Sequence, residues 1–534
     1  MCDTTVDNSL NNIPLWHKRD TVFAAVTLIY SVLFVHLSIF GGFNAGFTAS
    51  FFLLFALTAA YMLRQRKHFS VFTVFCGLCS LGFSAIFSVY NDTVLNILFF
   101  IAAVALYGVF VSGFFTAEKA PSPIMGALNT LVINPFDNIT APFRSYGGYR
   151  KEKNFKGINK QVLIGILLSV PVLSVVFPLL MSADAAFEGL ILSVFSGFGI
   201  FILKILLGAA AAVYLFSMLF AAKNGLKAKN FGISVYNDIK TLPPVTAVTL
   251  STVLAAVYLV YLLSQTAYFF SGFSGILPAG YSFTAAGYAR RGFFELCGVC
   301  GMNFFTVGAV MCLVKRTDTA AIPLSVRATS TLICAFSLIF AATAISKMFL
   351  YIGYYGLTRL RLLTSIFMAA IALLFIIMIL FMYIKRFPAA KCAICCFAVI
   401  GLITGFCDVD RTVASYNVNA YQSGILKELD VEYLGYLSDS AVTYIAELTK
   451  SPDSSVSDDA FHALYYKADD LFEINGNRVK FKTEKDPAKY NYSRENARQI
   501  IKKNIKEIIK AEREREEYSE QALDFTAQTD YLNP

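Results

Sequence analysis

The sequence predicts an all-α fold, a polytopic transmembrane helical bundle of about eleven spans followed by a small, mainly helical soluble C-terminal domain. Of the 534 residues, 56% are hydrophobic and 15% are charged, and the mean hydropathy is +0.59. Apolar runs of 18 or more residues recur up to residue 407, and each is long enough to cross a bilayer. A soluble single domain, a disordered chain and a nucleic-acid-binding protein are therefore excluded.

The predicted spans follow the apolar runs in order. Their cores lie near residues 21–40, 47–63, 70–90, 94–115, 161–181, 196–222, 244–270, 292–314, 326–352, 362–384 and 389–407. The second and eleventh are short, so a count between ten and twelve is compatible with the sequence.

Basic residues in the loops predict the orientation. The N-terminal segment and every second loop after it carry 22 lysines and arginines, whereas the opposite loops carry 5. Because cytoplasmic loops are enriched in Lys and Arg, the N-terminus is predicted to be cytoplasmic. An odd number of spans then places everything after Cys407 outside the cytoplasm. All 11 cysteines lie at or before this residue, which suits an exported domain without disulfides.

Two domains are predicted. Residues 1–407 form the membrane bundle, with a basic cytoplasmic loop at 116–160 that carries interleaved aromatic residues and is expected to lie along the inner leaflet. Residues 408–534 carry a net charge of −7 and form the C-terminal domain. Its apolar spacing predicts helices, one capped by Asp430 and one by Ser438 or Asp439, and a long charged helix at the end. Between them, GNRVKFKTEKD is predicted as a short hairpin edge.

Three stretches carry a resemblance to a known family. They are YSFTAAGYARRGFFEL (281–296), YYGLTRLRLLTSIFM (354–368) and YNVNAYQSGILKELDVEYLGYLSDSAVTYI (416–445). They resemble a bacterial family of polytopic integral membrane proteins known only as a domain of unknown function, in which a multi-span core ends in a short polar domain. The signature of that polar domain corresponds here to Leu429, Asp430, Tyr433, Leu434, Leu437, Ser438 and Ala441. The resemblance implies the architecture and a bacterial origin, but no activity.

Four arginines in two outer loops are the candidate binding residues. Arg359 and Arg361 follow a predicted helix start at Thr358, where the positive end of the helix dipole disfavours a cation. Arg290 and Arg291 lie in the preceding outer loop. Guanidinium groups suit carboxylates and phosphates, so the four predict either docking of the acidic C-terminal domain or a site for a ligand or lipid phosphate.

Two further charged residues lie within predicted spans. Lys204 is the deepest charge, and Glu295 is its candidate partner in a proton or ion pathway. Snorkelling of Lys204 and pairing of Glu295 with Arg291 one helical turn earlier are the competing interpretations. No catalytic residue, metal site or cofactor is predicted, since the phosphate-loop, dinucleotide and HExxH motifs are all absent.

Three classes of function remain after these observations. The leading prediction is a non-catalytic scaffold or sensor of the bacterial cell envelope whose extracytoplasmic domain binds a partner or ligand. The alternative is a transporter or flippase for an anionic or lipid-linked substrate. A membrane-embedded transferase would require Asp408 or Asp410 beside Arg359. Candidate partners are the lipid bilayer and an anionic lipid headgroup or envelope component, whereas nucleic acid is excluded and the sequence identifies no protein partner.

Overall fold

The computed structural model describes residues 14–62, 70–115, 122–152, 176, 180, 184, 198–226, 240–274, 293–317, 321–475, 478–482 and 487–530. Within these ranges the chain is built almost entirely of helices. In the first 407 residues they are α1 (Lys18–Phe34), α2 (Ala45–Met62), α3 (Val71–Ile86), α4 (Thr93–Phe115), α5 (Pro123–Leu128), α6 (Asn134–Asp137), α7 (Ala141–Glu152), α8 (Phe198–Asn224), α9 (Pro244–Ser274), α10 (Phe293–Leu313), α11 (Leu324–Tyr355), α12 (Arg359–Tyr383) and α13 (Ala389–Phe406).

The long helices confirm the predicted all-α polytopic fold. In the described part of the chain, nine helices are long and apolar enough to cross a membrane, and α3 is a shorter apolar helix of 16 residues. Each matches a predicted span to within a few residues. The span predicted at 161–181 falls almost wholly outside the described residues. The helices are apolar on all sides, as expected of segments that face both lipid and neighbouring helices.

The chain divides into two compact units. The first comprises Met1–Gly42, Gly46–Gly77 and Ala105–Phe231. Its core contains large side chains of α1, α4 and α8, among them Tyr30, Tyr107 and Phe220. Because Gly208 has no Cβ, the backbone of α1 can approach α8 closely.

A buried charged cluster joins three helix ends in the first unit. Asp20 in α1 is fully buried, and its Oδ1 lies 2.6 Å from Lys223 Nζ in α8. The Tyr61 hydroxyl of α2 donates to the same oxygen over 2.8 Å. Since a buried carboxylate must be paired to be tolerated, these bonds hold the three helix ends together.

The second unit comprises Phe43–Ala45, Leu78–Val104 and Gly232–Pro534. Beyond residue 407 its elements are α14 (Val409–Gln422), α15 (Val431–Tyr436), α16 (Val442–Leu448), α17 (Ser454–Leu471), β1 (Phe472–Asn475), β2 (Arg478–Phe481) and α18 (Tyr492–Asp530). Strands β1 and β2 pair antiparallel, with Phe472 opposite Phe481. The stretch GNRVKFKTEKD supplies only β2, and β1 precedes it. One continuous cluster of buried apolar side chains runs from α9–α12 into α14–α18. Residues 408–534, called the C-terminal region below, thus share a core with the membrane helices.

The sequence predicts two helix caps in the C-terminal region, and only one of them forms a side-chain capping bond. The Asp430 side chain accepts the Tyr433 N–H over 2.8 Å, which confirms it as the cap of α15. Ser438 occupies the predicted cap position, but its side chain does not act as a cap. A 3₁₀ turn over Asp439–Ala441 precedes α16, the Ser438 side chain makes no capping bond, and Asp439 instead accepts a hydrogen bond from Asn91.

Candidate functional site

Arg359 is held by two carboxylates where α12 begins. Its Nη1 lies 2.7 Å from Asp92 Oδ2, its Nε donates to Asp410 Oδ1 over 2.8 Å, and its Nη2 lies 2.5 Å from Asp410 Oδ2. We call Arg359, Asp92 and Asp410 the arginine junction. The fork-to-fork pairing with Asp410 is the strongest geometry available to a guanidinium–carboxylate pair. The anion that the position of Arg359 required is thus supplied by the chain itself.

Local helix geometry positions both carboxylates. Asp92 directly precedes α4, and its Oδ1 accepts the Leu95 N–H over 2.7 Å, as a helix cap does. Asp410 lies in the first turn of α14, which begins after Asp408. Its Oδ2 also accepts the Ser438 N–H over 2.8 Å. Helices α4, α12 and α14 therefore all begin at the junction, where the N-terminal ends of their dipoles favour negative charge.

The short turn before Arg359 is fixed from both sides. The Asn417 side chain of α14 exchanges two 2.7 Å hydrogen bonds with the backbone N–H and C=O of Leu357. Gly356 has a φ of 74°, and a Cβ there would lie 2.7 Å from Asn417 Oδ1. The Arg359 N–H donates to the Tyr433 hydroxyl over 2.8 Å. Helix α14, through Asn417, and helix α15, through Tyr433, thus both hold the α11–α12 turn, and the turn requires glycine.

The loop between α3 and α4 is bound by the start of α18. The Asn491 side chain donates to the carbonyl oxygens of Phe87 and Tyr90 over 3.1 and 3.2 Å. The Ser493 hydroxyl and N–H both donate to Val89 O. These bonds satisfy backbone carbonyl groups of the turn that follows α3. Residues 87–90 are consequently held by the C-terminal region, whereas Asp92 is held by Arg359 of α12.

The junction is rich in buried acids. Asp92, Asp408, Asp410 and Asp439 are each less than 9% exposed. Burial raises the pKa of Asp408, although the Ser440 hydroxyl and the Arg411 N–H oppose the shift. Within the described residues, the buried hydroxyl of Tyr90 has no hydrogen-bond partner. Burial and the carboxylates of Asp410 and Asp92 raise the pKa of this phenol, so it remains protonated beside them.

The other predicted site residues lie elsewhere or outside the described ranges. Arg361 donates to the carbonyl oxygens of Tyr355 and Gly356, and its guanidinium carbon lies 4.1 Å from the Tyr351 ring centroid. It therefore caps the end of α11 and shares no target with Arg359. Arg290 and Arg291 are outside the described residues.

The two intramembrane charges lie in different units. Lys204 Nζ is 3.1 Å from His36 Nδ1 and 4.9 Å from the centroid of the Phe40 ring. Glu295 is exposed on α10, and it attracts the buried Lys347 of α11 electrostatically. In the part of the chain that the structure describes, no group of three or more His, Cys, Asp or Glu side chains is placed to hold a metal ion.

Sequence reasoning identified Arg359 and Asp410 but missed Asp92 and Asn491. Asp92 stands in Tyr90–Asn91–Asp92–Thr93, a polar interruption between two apolar runs. The sequence Asn-Asp-Thr before a helix is a cap signal, and it could have drawn attention to this carboxylate. Nothing local marks Asn491, because its partners lie about 400 positions earlier in the chain.

The helices and the junction define a multi-pass membrane protein whose C-terminal region is built onto the ends of its membrane helices. The chain belongs to the family described as domain of unknown function DUF4153, which matches residues 49–448. The matched range includes the arginine junction and ends before α17 and α18. Comparison with curated proteins and with solved structures finds no match.

Proposed function

We propose that the protein is a non-catalytic sensor or scaffold of the bacterial cytoplasmic membrane whose C-terminal region lies outside the cytoplasm and binds a partner or ligand. The observation that carries this proposal is the bidentate pairing of Arg359 with Asp410. Arg359 is the first residue of the membrane helix α12, and Asp410 lies in the first turn of the C-terminal helix α14. A displacement of α14 must therefore move or break a buried ion pair on α12, which couples the two parts mechanically.

An open groove of about 570 Å³ gives the C-terminal region a place for a ligand. Tyr421, Lys427, Glu447 and Lys450 lie along it, and Tyr421 belongs to the last turn of α14. Helix α14 has 14 residues and so is about 21 Å long. One rigid helix thus has its first turn in the arginine junction and its last turn in the groove. Binding in the groove would act on α12 through this helix.

The connectivity supports the extracytoplasmic orientation. The 87–92 loop, which the C-terminal region binds, follows the three apolar helices α1, α2 and α3. Three crossings would put this loop on the side opposite to Lys18 and Arg19. The excess of basic residues assigns the N-terminal side to the cytoplasm. This reasoning requires that α1, α2 and α3 each cross the membrane, and it does not depend on the span at 161–181.

Burial of the junction supports a non-catalytic role. A transferase acting on lipid phosphate would need Arg359 and a neighbouring carboxylate to reach the substrate. The Asp410 side chain has no exposed surface, and both of its oxygens accept hydrogen bonds from Arg359 or Ser438. A substrate would have to break these bonds before either oxygen could act as a base.

Labelling of an introduced cysteine tests the orientation. Ser454 is exposed at the start of α17, and Lys151 is exposed near the end of α7. In a background with the native cysteines replaced, a membrane-impermeant maleimide is expected to label Ser454→Cys in intact cells and Lys151→Cys only after lysis. The opposite order would refute an extracytoplasmic C-terminal region.

Photo-crosslinking in intact cells tests the binding role. A photoreactive amino acid at Glu447, inside the groove, is expected to form an adduct that the same group at Lys510 does not form. Lys510 is exposed on α18 and provides the matched position outside the groove. Equal adducts at both positions, or none at either, would contradict binding in the groove.

A further inference from the structure

The segment that follows α4 is apolar but too short to cross the membrane. It begins with PIMGALNTLVI, residues 123–133, and it forms α5, a π-helical turn over Asn129–Ile133 and then α6. Apolar runs of about 10–14 residues are typical of re-entrant or interfacial segments in membrane proteins. The contacts of this segment distinguish between these two placements.

The segment packs against the interior of two membrane helices and not against their ends. A Cβ on Gly108 of α4 would lie 2.5 Å from Leu131 Cδ1, and Gly108 is seven residues before the end of α4. Seven helical residues rise about 10 Å. Tyr214 of α8 is ten residues before the end of that helix. Its hydroxyl donates to Leu131 O, and its ring centroid is 6.0 Å from that of Phe136. The segment therefore reaches about 10 Å or more inward from the helix ends.

One side of the segment is apolar and exposed. The exposed fractions are 62% for Ile124, 44% for Leu128, 48% for Val132, 62% for Phe136 and 61% for Phe143. The other side contains the buried residues Ala127, Thr130 and Asn134. Large apolar side chains at this depth beside α4 face the position of the acyl chains, and in water they would form an unusual exposed stripe.

The segment returns through a basic helix that contacts the start of the chain. The Ser145 hydroxyl donates to Pro14 O over 2.5 Å, and the Tyr146 and Trp16 rings are 5.1 Å apart. Arg144 and Lys151 are exposed on α7. Lys18 and Arg19, directly after Trp16, are exposed too. Basic side chains of α7 and of the start of α1 therefore lie close together at the end of the segment.

We propose that residues 123–146 form a re-entrant segment embedded in the leaflet on the N-terminal side, with its exposed apolar stripe against acyl chains and Arg144 and Lys151 against the phosphates of anionic lipids. The apolar stripe and the basic residues have different roles in this lipid site. The apolar stripe sets the depth, and the bases at the return select negative headgroups, because each basic residue near the surface contributes about 1 kcal/mol of attraction to an anionic leaflet.

Fluorescence of a relocated tryptophan tests the depth. Trp16 is the only tryptophan, so Trp16→Phe provides a silent background in the full-length protein. In vesicles of acyl-brominated phosphatidylcholine, the tryptophans of Leu128→Trp and Val132→Trp are expected to be quenched strongly by the brominated acyl chains. Acrylamide in the aqueous phase is expected to quench them only weakly. Lys151→Trp, on the exposed return helix, is expected to behave in the opposite way. Acrylamide quenching of positions 128 and 132 as strong as that of position 151 would overturn the proposal. Resistance of both positions to both quenchers would overturn it too, because a protein surface would then cover the stripe.

The native Trp16 tests the headgroup preference without any relocated tryptophan. Its ring lies beside Tyr146 on the return helix, so brominated phosphatidylglycerol bound there is expected to quench it more than brominated phosphatidylcholine. Arg144→Gln with Lys151→Gln is expected to lower the relative affinity for phosphatidylglycerol by about fivefold for each charge removed. Arg515→Gln, on the exposed surface of α18, is the control and should change nothing. Equal affinities in the wild type, or an unchanged preference in the double variant, would refute the anionic part of the proposal.

Discussion

Arg359→Ala is expected to destabilise the attachment of the C-terminal region to the membrane helices. The substitution leaves Asp92 and Asp410 buried without their cation, 8% and 0% exposed respectively. Removing one partner of a buried ion pair costs about 3–5 kcal/mol. If the C-terminal region opens reversibly, about 3–5 kcal/mol corresponds to an opening equilibrium raised by at least two orders of magnitude. The rate of trypsin cleavage within residues 408–534, measured on the purified full-length protein in detergent, should rise accordingly.

Arg361→Ala is the matched control for this experiment. Arg361 lies two residues away on the same helix, but it bonds only backbone carbonyl oxygens and the Tyr351 ring in the described structure. Its loss removes two hydrogen bonds of about 1 kcal/mol each and so should cost about 2 kcal/mol, without leaving a buried charge unpaired. Equal cleavage rates for the two variants would refute the reasoning from buried charge.

A charge-neutral variant separates the ion pair from simple packing. Arg359→Met combined with Asp92→Asn and Asp410→Asn removes the cation and both of its counter-ions. Because replacing a whole buried ion network is far less costly than breaking it, most of the lost stability should return. A triple variant as unstable as Arg359→Ala would show that shape, and not charge, holds the junction.

Three further predictions concern the surroundings of the junction. Asp408→Asn is expected to stabilise the protein at pH 7, because burial raises the pKa of Asp408 and disfavours its charged form in the folded state. The gain in the free energy of unfolding should vanish as the pH falls below about 4, where the carboxyl group is protonated in both the folded and the unfolded state. Asparagine also tolerates the positive φ of 52° and retains the cap, so Asp408→Ala should lose about 1 kcal/mol instead, as thermal unfolding would show. Gly356→Ala should cost about 1–3 kcal/mol, since its φ of 74° and ψ of 175° suit only glycine; an unchanged melting temperature would contradict this. Asn491→Ala should cost about 1–3 kcal/mol by removing the two hydrogen bonds that its side chain donates to the carbonyl oxygens of Phe87 and Tyr90, and faster hydrogen exchange at residues 87–92 would report it.

The membrane helices were predictable because lipid imposes a simple pattern on the sequence. A span needs about 20 apolar residues, and runs of that length are visible without any knowledge of tertiary contacts. Even the boundaries followed local signals. Thr358 was predicted to begin a helix, and its side chain accepts the Arg361 N–H there.

The arginine junction was predictable only in part. The position of Arg359 showed that an anion must face it, but the sequence could not choose between a phosphate and a carboxylate of the chain. Asp410 was a candidate because it follows the last span directly. Asp92 belongs to a loop 267 positions before Arg359, and a single sequence carries no signal for such a pairing. The spacing of residues along the chain can indicate only bonds between near neighbours, so it predicts a helix cap at Ser438 or Asp439. It carries no information on the bond that Asp439 makes with Asn91.

The hydrogen bonds between Asn491 and the loop at residues 87–92 have a consequence for the order in which the protein is made. The donor and its first acceptor, Phe87, are 404 positions apart. At about 5–20 residues per second, the ribosome needs roughly 20–80 s to travel from one to the other. During that interval α3 and α4 can enter the membrane, but the loop between them has no partner from the C-terminal region.

A chain that stops before Asn491 would therefore carry membrane helices and an unfinished loop. Its carbonyl groups at Phe87 and Tyr90 would lack the hydrogen bonds that Asn491 donates, and Ala45 would lack the backbone bond that it makes with Tyr490. One of the first loops made therefore obtains these hydrogen bonds only after synthesis has passed Ser493. Proteolysis at residues 87–92 would distinguish chains that contain Asn491 and Ser493 from chains that stop before them.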